Sequence, residues 1–320
     1  MKKISGLLAM LALAAAGTAC AQDYPNRPVT IIVPQAAGGA NDILGRILAQ
    51  ELSKGLGQQF VVENRVGANG NIGTQAAAKA PRDGYTLLFT IAAAHAVNPI
   101  LYAKVPFDPV KDFDPVMLVA TVPFLLVVHP SVPASSTQEL IALARARPGE
   151  LAYASSGNGA TNHLLAEMLK SMAGIDMLHV PYKGVAAALT DMLGGRVQVA
   201  FASVPSVKSH VRDGKLRALG ISTLKRSSVA PEVPPVADAV AGYNADFWVG
   251  LFTVAGTSSD ITAKLHGAMV KALAGAEVRE RVAAQGAEVV AGMPGELAAA
   301  LKEDIAKWAR VVKAARITID

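Results

Sequence analysis

The sequence predicts an α/β protein of two lobes, each a mostly parallel sheet flanked by helices, with a cleft between them. Three observations carry this. Short β-branched runs alternate with stretches whose apolar residues recur at helical spacing, the pattern of repeated βα units, whose strands pair in parallel under helices. The chain has 320 residues, long enough for roughly two such lobes, each with its own core. The rhythm breaks twice, near residues 113–128 and 225–250, as expected of a chain that leaves one lobe, builds a second and returns. Crossings near Pro123 and Phe247 divide the chain into a discontinuous lobe one, 22–123 with 247–320, and a continuous lobe two, 124–246.

The elements follow in order. Val29–Val33 reads as a strand, and Ile43, Leu44, Ile47, Leu48 and Leu52 as one face of a helix. Phe60–Glu63 is the next strand, Ile72–Lys79 a helix after a Gly-Ala-Asn-Gly loop, and Thr86–Thr90 a strand entered through Arg82-Asp83-Gly84. Phe113–Ala120 and Phe124–His129 are extended runs separated at Pro123. Ser136-x-x-Glu139 has the spacing of a capping box for a helix that ends before Pro148. Strands at Leu151–Ser155, Met177–Val180, Val197–Ala202 and Ala218–Ser222 then alternate with helices at Thr161–Ala173, through Leu189 and Leu193, and at Ser206–Asp213. Phe247–Val254 follows a proline-rich stretch. Three helical segments close the chain, the last from Pro294 with Leu297, Leu301, Ile305, Trp308 and Val312 inward.

The first 21 residues belong to export. Lys2 and Lys3 precede a thirteen-residue apolar run, Ile4–Ala16, shorter than the roughly 20 residues a membrane span requires. Ala19-Cys20-Ala21 supplies a small-x-small cleavage pattern. Cys20 could instead be lipidated, but Gly17 stands where that pattern prefers Leu. Cleavage after Ala21 removes the one cysteine of the chain and lowers the net charge from +5 to +3. The mature chain then has no disulfide, thiolate nucleophile or zinc–thiolate site, and its expected location is the periplasm.

Composition excludes further classes. Charged residues are 17%, against roughly 25% in an average globular chain, and no Lys/Arg run forms a stripe, so nucleic acid is not an expected partner. No phosphate loop and no His-Glu-x-x-His zinc motif occurs. The competing reading, an exported α/β hydrolase, needs Gly-x-Ser-x-Gly; Ser155-Ser156-Gly157-Asn158-Gly159 puts Gly where Ser is required. His129, His179, His210 and His266 show no metal-ligand spacing. No catalytic residue, metal or cofactor is expected.

The site signals are two glycine-rich loops, each between a strand and a helix. Ala37-Gly38-Gly39-Ala40-Asn41-Asp42 opens the first helix, with Asp42 four residues before Arg46. Ser155-Ser156-Gly157-Asn158-Gly159-Ala160-Thr161-Asn162-His163 opens a helix in the other half. Glycine allows close approach of the backbone, and a helix N-terminus offers unpaired N–H groups and a positive dipole end to an anion. Two such loops facing each other would clamp a small carboxylate. Asn69, Thr90 and His95 stand at neighbouring loop and strand ends, and Ser203 follows a strand in lobe two.

These residues also carry a family resemblance. Gly38-Gly39-x-x-Asp42-x-x-x-Arg46, Val62-Glu63-Asn64-Arg65-x-Gly67-Ala68-x-Gly70, Asp83-Gly84-Tyr85, His179-Val180-Pro181-Tyr182-Lys183-Gly184 and Phe247-Trp248-x-Gly250-Leu251-Phe252 occur in order. With them the chain resembles the Bug-type, TctC-like solute receptors of tripartite tricarboxylate transporters over nearly all of 24–318. The resemblance implies a two-lobed periplasmic-binding-protein fold and a monomeric receptor that delivers its ligand to integral membrane subunits. It implies a carboxylate held by loop N–H groups and ordered water rather than by a dedicated Arg. By position, the contacts would be Ala37, Gly38, Gly39, Ala40 and Asn41 from lobe one, and Ser155, Ser156, Gly157, Asn158, Gly159, Ala160 and Thr161 from lobe two, with Ser203 tuning the distal end. The family often has Pro before the first Gly pair, where Ala36-Ala37 stands here. A dicarboxylate or tricarboxylate, an aromatic acid, an acidic amino acid or a carboxylated vitamin precursor all fit such a clamp, in uptake or in sensing.

Overall fold

The computed structural model describes residues 24–317 and residue 319; the expected signal segment lies outside them. Strand β1 (Val29–Val33) leads into helix α1 (Ala40–Leu56), β2 (Phe60–Asn64) into α2 (Asn71–Ala78), and β3 (Thr86–Ile91) into a π-helical turn (Ala93–Val97) and the short α3 (Asn98–Leu101). Strands β4 (Phe113–Val122) and β5 (Phe124–Val128) follow with Pro123 alone between them. Next come α4 (Thr137–Ala146), β6 (Ala152–Ser155), α5 (Thr161–Ala173), β7 (Leu178–Pro181), α6 (Val185–Leu193), β8 (Val199–Ser203), α7 (Val204–Arg212) and β9 (Arg217–Ile221). The chain closes with β10 (Phe247–Val254), α8 (Ser259–Ala274), α9 (Ala276–Ala284), β11 (Glu288–Gly292) and α10 (Pro294–Ala315).

Two sheets define two lobes. One has six strands in the order β11-β4-β10-β3-β1-β2, the other five in the order β7-β6-β8-β5-β9. Both are mixed, which corrects the expectation of mostly parallel sheets. β1 is parallel to β2 and β3, but β10 runs antiparallel to both β3 and β4, and β11 antiparallel to β4. In the second sheet β6 is parallel to β7 and β8, whereas β5 is antiparallel to β8 and β9. The physical reason lies in the connections. A helical crossover returns the chain to the starting end of the sheet and makes the next strand parallel. β5 and β10 instead enter from the opposite lobe, and arrive from the other end.

Local sequence explains the elements that position the cleft. β1 is almost wholly apolar and buried because helices cover both faces of its sheet. Helix α1 presents Leu44, Ile47, Leu48 and Leu52 to that sheet, each buried, and stops at Gly57, whose left-handed conformation (φ 71°) ends the helix. At the start of α4, Ser136 accepts the Glu139 N–H (3.2 Å), while Glu139 reaches back to the N–H and hydroxyl of Ser135 instead of Ser136. The edge strand β11 and the π turn had no clear period in the sequence: Glu288–Gly292 holds only two β-branched residues, and residues 92–97 are mostly alanine.

Helix α10 joins the lobes from behind, packing on β4 and on α5. Trp308, buried at its centre, stacks on Phe247 of the crossing strand with ring centroids 5.2 Å apart. Replacing a buried tryptophan by alanine costs about 3–5 kcal/mol through lost burial and the cavity left behind. Trp308→Ala should therefore lower the denaturant midpoint by a corresponding amount, with the slope of the transition unchanged; a loss under 1 kcal/mol would show that this contact does not hold the lobes.

Candidate functional site

The cleft lies at the C-terminal ends of β1, β2 and β3 in one lobe and of β6 and β8 in the other, the end at which open α/β sheets bind ligands. It has two adjoining chambers. The front one, about 500 Å³, is lined from the loops after these strands. The back one, about 270 Å³, extends past the start of α1 toward the two crossing strands. Gln35, Ala36, Ile91, Phe124 and Thr161 line both. No residue lining either chamber carries a formal charge.

Loop one is held by a buried carboxylate. Asp42 Oδ2 accepts the Gly38 N–H (2.9 Å) and Arg46 Nε (3.0 Å), and its Oδ1 accepts Asn64 Nδ2 (2.9 Å). Asn64 also donates to the Gln35 carbonyl (3.1 Å), and the Asn41 amide donates to the Gln35 side chain. Burial pushes the Asp42 carboxyl up, but hydrogen bonds from Arg46, Gly38 and Asn64 and the Arg46 charge outweigh it and hold the group below the usual range. With Gly38 turned through φ 80°, Gly39 enters α1 extended (φ −74°, ψ 160°) and no side chain caps the helix. The N–H groups of Ala40, Asn41 and Asp42 have no acceptor among the described residues.

Loop two uses its own N–H groups internally. Ser156 N–H donates to Asn162 Oδ1 (3.1 Å), Gly157 N–H to Ser155 Oγ (3.2 Å), Gly159 N–H to His163 Nδ1 (3.0 Å) and Ala160 N–H to the Gly157 carbonyl (3.2 Å). What this leaves toward the cleft is the uncapped first turn of α5, whose Thr161 and Asn162 N–H groups have no acceptor among the described residues. The glycines here serve shape. At Gly159 (φ 72°) an added Cβ would lie 2.7 Å from Ile319 and 3.1 Å from Leu101.

Behind loop two stands a stack of rings. His163 lies on His179 at 4.0 Å and 7°, and Tyr153 on His179 at 4.8 Å. His179 Nε2 bonds Ser155 Oγ at 2.6 Å, a serine–histidine contact, but Ser155 is fully buried and also bonded to both polar groups of the Gly157 backbone. The pair supports the loop and exposes no nucleophile.

A third loop, residues 66–70, completes the front chamber. Gly67, Ala68, Asn69 and Gly70 all have positive φ (129°, 45°, 53° and 99°), a run that two non-glycine residues adopt only under restraint. Asn98 supplies it: its Nδ2 donates to the Asn69 carbonyl and to Asn71 Oδ1, and its Oδ1 accepts Asn69 Nδ2, each at 2.9 Å.

Of the residues expected at the site, Gly39, Ala40 and Asn41 line the back chamber, Asn69, Ser156, Gly159, Ala160 and Ser203 the front one, and Thr161 both. Ala37, Gly38, Gly157 and Asn158 lie in the two loops but line neither chamber. Thr90 is buried within β3, one residue before Ile91, and Ser155 is buried under loop two. His95 lines neither chamber: it is fully buried in the π turn against Phe252 (4.6 Å) and Phe113 (5.1 Å), with Nε2 on the Pro109 carbonyl (3.0 Å). Burial pushes its imidazole down to about 4. Gln35, Val66, Gly67, Phe124 and Val185 line the cleft unannounced, and Asn162 lines it from within the second marked loop. The Gly-Ala-Asn-Gly run after β2 was the signal for loop three, identical in kind to the other two. Among the described residues no cluster of His, Cys, Asp and Glu could hold a metal.

An uncharged cleft between two α/β lobes, bounded by open helix N-termini from each, defines a solute-binding receptor. The profile of the tripartite tricarboxylate transporter family receptors (TctC) matches residues 44–317, and the chain belongs to that family, one of receptors and not of enzymes. It is 39% identical to Protein BugT of Bordetella pertussis over 316 residues, 96% of each chain. Its fold matches a Rhodopseudomonas palustris protein solved with adipate at a TM-score of 0.78 and 38% identity, covering 92% of this chain and 99% of that one. It matches MatC of the same organism, solved with malate, at 0.74 and 32%, covering 90% and 100%.

The His163–Gly159 bond needs a neutral imidazole, and burial, then the charge of neighbouring His179, pushes His163 down to about 4. A histidine whose folded pKa lies below its unfolded value near 6.5 contributes stability above that value and loses it as pH falls through about 4. Buried Asp246, pushed up to about 6, acts in the opposite direction over much of the same range. The sign is therefore read by difference: between pH 6.5 and 4 the Tm of His163→Asn should fall less than that of the wild type, and equal slopes would remove His163 from the acid response.

Proposed function

We propose that this chain is an extracytoplasmic receptor that binds a small organic carboxylate in the cleft and delivers it to the integral membrane subunits of a tripartite tricarboxylate-type transporter. The observation that carries the reading is the pair of uncapped helix N-termini, α1 from lobe one and α5 from lobe two, bordering one cleft whose lining has no charged side chain. Five open N–H groups from Ala40, Asn41, Asp42, Thr161 and Asn162, with the positive ends of both helix dipoles, offer an anion what an Arg would otherwise supply. Relatives solved with adipate and malate support a carboxylate as that anion.

Closure of the lobes strengthens the clamp. As water leaves, each N–H bond to the carboxylate acts in a lower dielectric, and each unmatched polar group becomes costly. The closed form brings surfaces of both lobes together, which gives a membrane partner a shape absent from the open form. The signal-like segment 1–21 supports export to the periplasm. Among the described residues no helix is long and apolar enough to cross a membrane.

Proline tests the clamp without breaking the helices. At the first helical position its missing N–H costs the helix nothing and its fixed φ suits the turn. The preceding residues, Gly39 (ψ 160°) and Ala160 (ψ 156°), are already extended as a following proline requires. A charge-assisted hydrogen bond contributes about 1.5–3 kcal/mol. Ala40→Pro and Thr161→Pro should each weaken the carboxylate that binds refolded protein by roughly ten- to hundredfold in calorimetry, with Tm within a few degrees of wild type. Unchanged affinity in both would sink the two-helix clamp.

A further inference from the structure

We infer that the ligand is a monocarboxylate with an apolar, ring-sized body seated in the back chamber, an inference that rests on the carboxylate reading above. The two chambers differ in kind. Leu44, Val122, Phe247, Trp248 and Val249 line the back chamber together with Ile91 and Phe124; its polar side chains beyond the indole of Trp248 are Gln35, Asn41 and Thr161. Gln35 and Thr161 also line the front chamber, and Asn41 belongs to the first turn of α1. The polar groups thus gather where the open helix N-termini are, and apolar walls make up the rest.

Charge decides how many carboxylates fit. A second carboxylate in the back chamber would lose its water against apolar walls with no charged side chain among those lining it, which is heavily unfavourable. The front chamber offers it little apart from the helix ends. Asn69 Nδ2 donates to Asn98, Ser156 Oγ donates to Asn162 Oδ1, and Ser203 Oγ donates to Ser206. The donors left uncommitted among the described residues, Gln35 Nε2, Thr161 Oγ1 and Asn162 Nδ2, belong to the helix N-termini or to the loop beside them, where the first carboxylate would sit. An apolar body, by contrast, gains in proportion to the area it removes from water. Size then sets the body: a dry cavity of about 150 Å³ holds benzene, and the back chamber, at about 270 Å³, has room for one ring and its substituent.

The test is calorimetry on the mature chain, unfolded and refolded to strip any carried ligand, with benzoate, cyclohexanecarboxylate, succinate, malate and citrate. Benzoate or cyclohexanecarboxylate should bind at least tenfold tighter than any of the others. Val122, half-buried on the chamber wall, supplies the variants. Val122→Phe should weaken benzoate at least tenfold, and Val122→Lys should shift preference toward succinate. Should either fail to fold, tryptophan emission of the wild type replaces it. Trp248 lines the chamber, so 4-nitrobenzoate should quench it saturably and benzoate should compete, while citrate should not. Succinate, malate or citrate binding tightest would overturn the inference and leave the carboxylate reading standing. Benzoate binding unaffected by Val122→Phe, or without competition for the quencher, would also overturn it. Silence toward every carboxylate would remove both.

Discussion

Val122 and Phe247 are direct partners in the antiparallel ladder between β4 and β10, and this pairing holds the molecule's two connections side by side. The chain leaves the first sheet at Val122 and re-enters it at Phe247, so both passages between lobes start from one hydrogen-bonded edge. A single passage would permit twisting in any direction; two adjacent ones restrict it to a hinge. The mixed sheets follow from the same pairing, since β10 must run against the strand that left. So does the site, whose back chamber is walled by residues of these two strands. From the far side Trp308 stacks on Phe247 and keeps the hinge against the closing helix.

The electrostatics of the cleft contain an apparent contradiction that the network around Asp42 resolves. A carboxylate in the first turn of α1 would compete with an anionic ligand for the same helix end. Its charge is answered locally by Arg46, and its oxygens are saturated by Gly38 and Asn64. Asp42 therefore acts as the internal tie of loop one and leaves the outward N–H groups uncommitted. Loop two reaches a similar result with neutral groups: Asn162 and His163, both on α5, accept the loop's own N–H groups and free those of the helix start. Each lobe thus presents a helix terminus beside a loop that accepts most of its own N–H groups.

Much of this was legible in the sequence. β-branched runs and helical spacing located Val29–Val33, Thr161–Ala173 and Phe247–Val254 to the residue, and glycine between strand and helix marked the loops that border the cleft. Strand direction was not legible, because alternation of elements says nothing about the end from which a returning strand enters. Nor was the division of labour within the loops. Whether the N–H of Gly159 faces a ligand or His163 depends on a side chain four residues on, and composition cannot show which wins. His95 misled for a related reason: a histidine beyond a strand end reads as polar, yet the aromatic residues that enclose it, Phe107, Phe113, Trp248 and Phe252, come from distant parts of the chain.

The position of β10 also sets an order of assembly. It lies between β3 and β4 in the first sheet, yet a ribosome makes it after the whole of the second sheet. Residues 124–221 contain every strand of that second sheet, so it can form from a contiguous nascent segment. Until residue 254 has emerged, β3 and β4 have no strand between them and present open edges, the condition in which chains pair wrongly or aggregate. A central strand that arrives late thus delays completion of the first sheet until most of the chain is present.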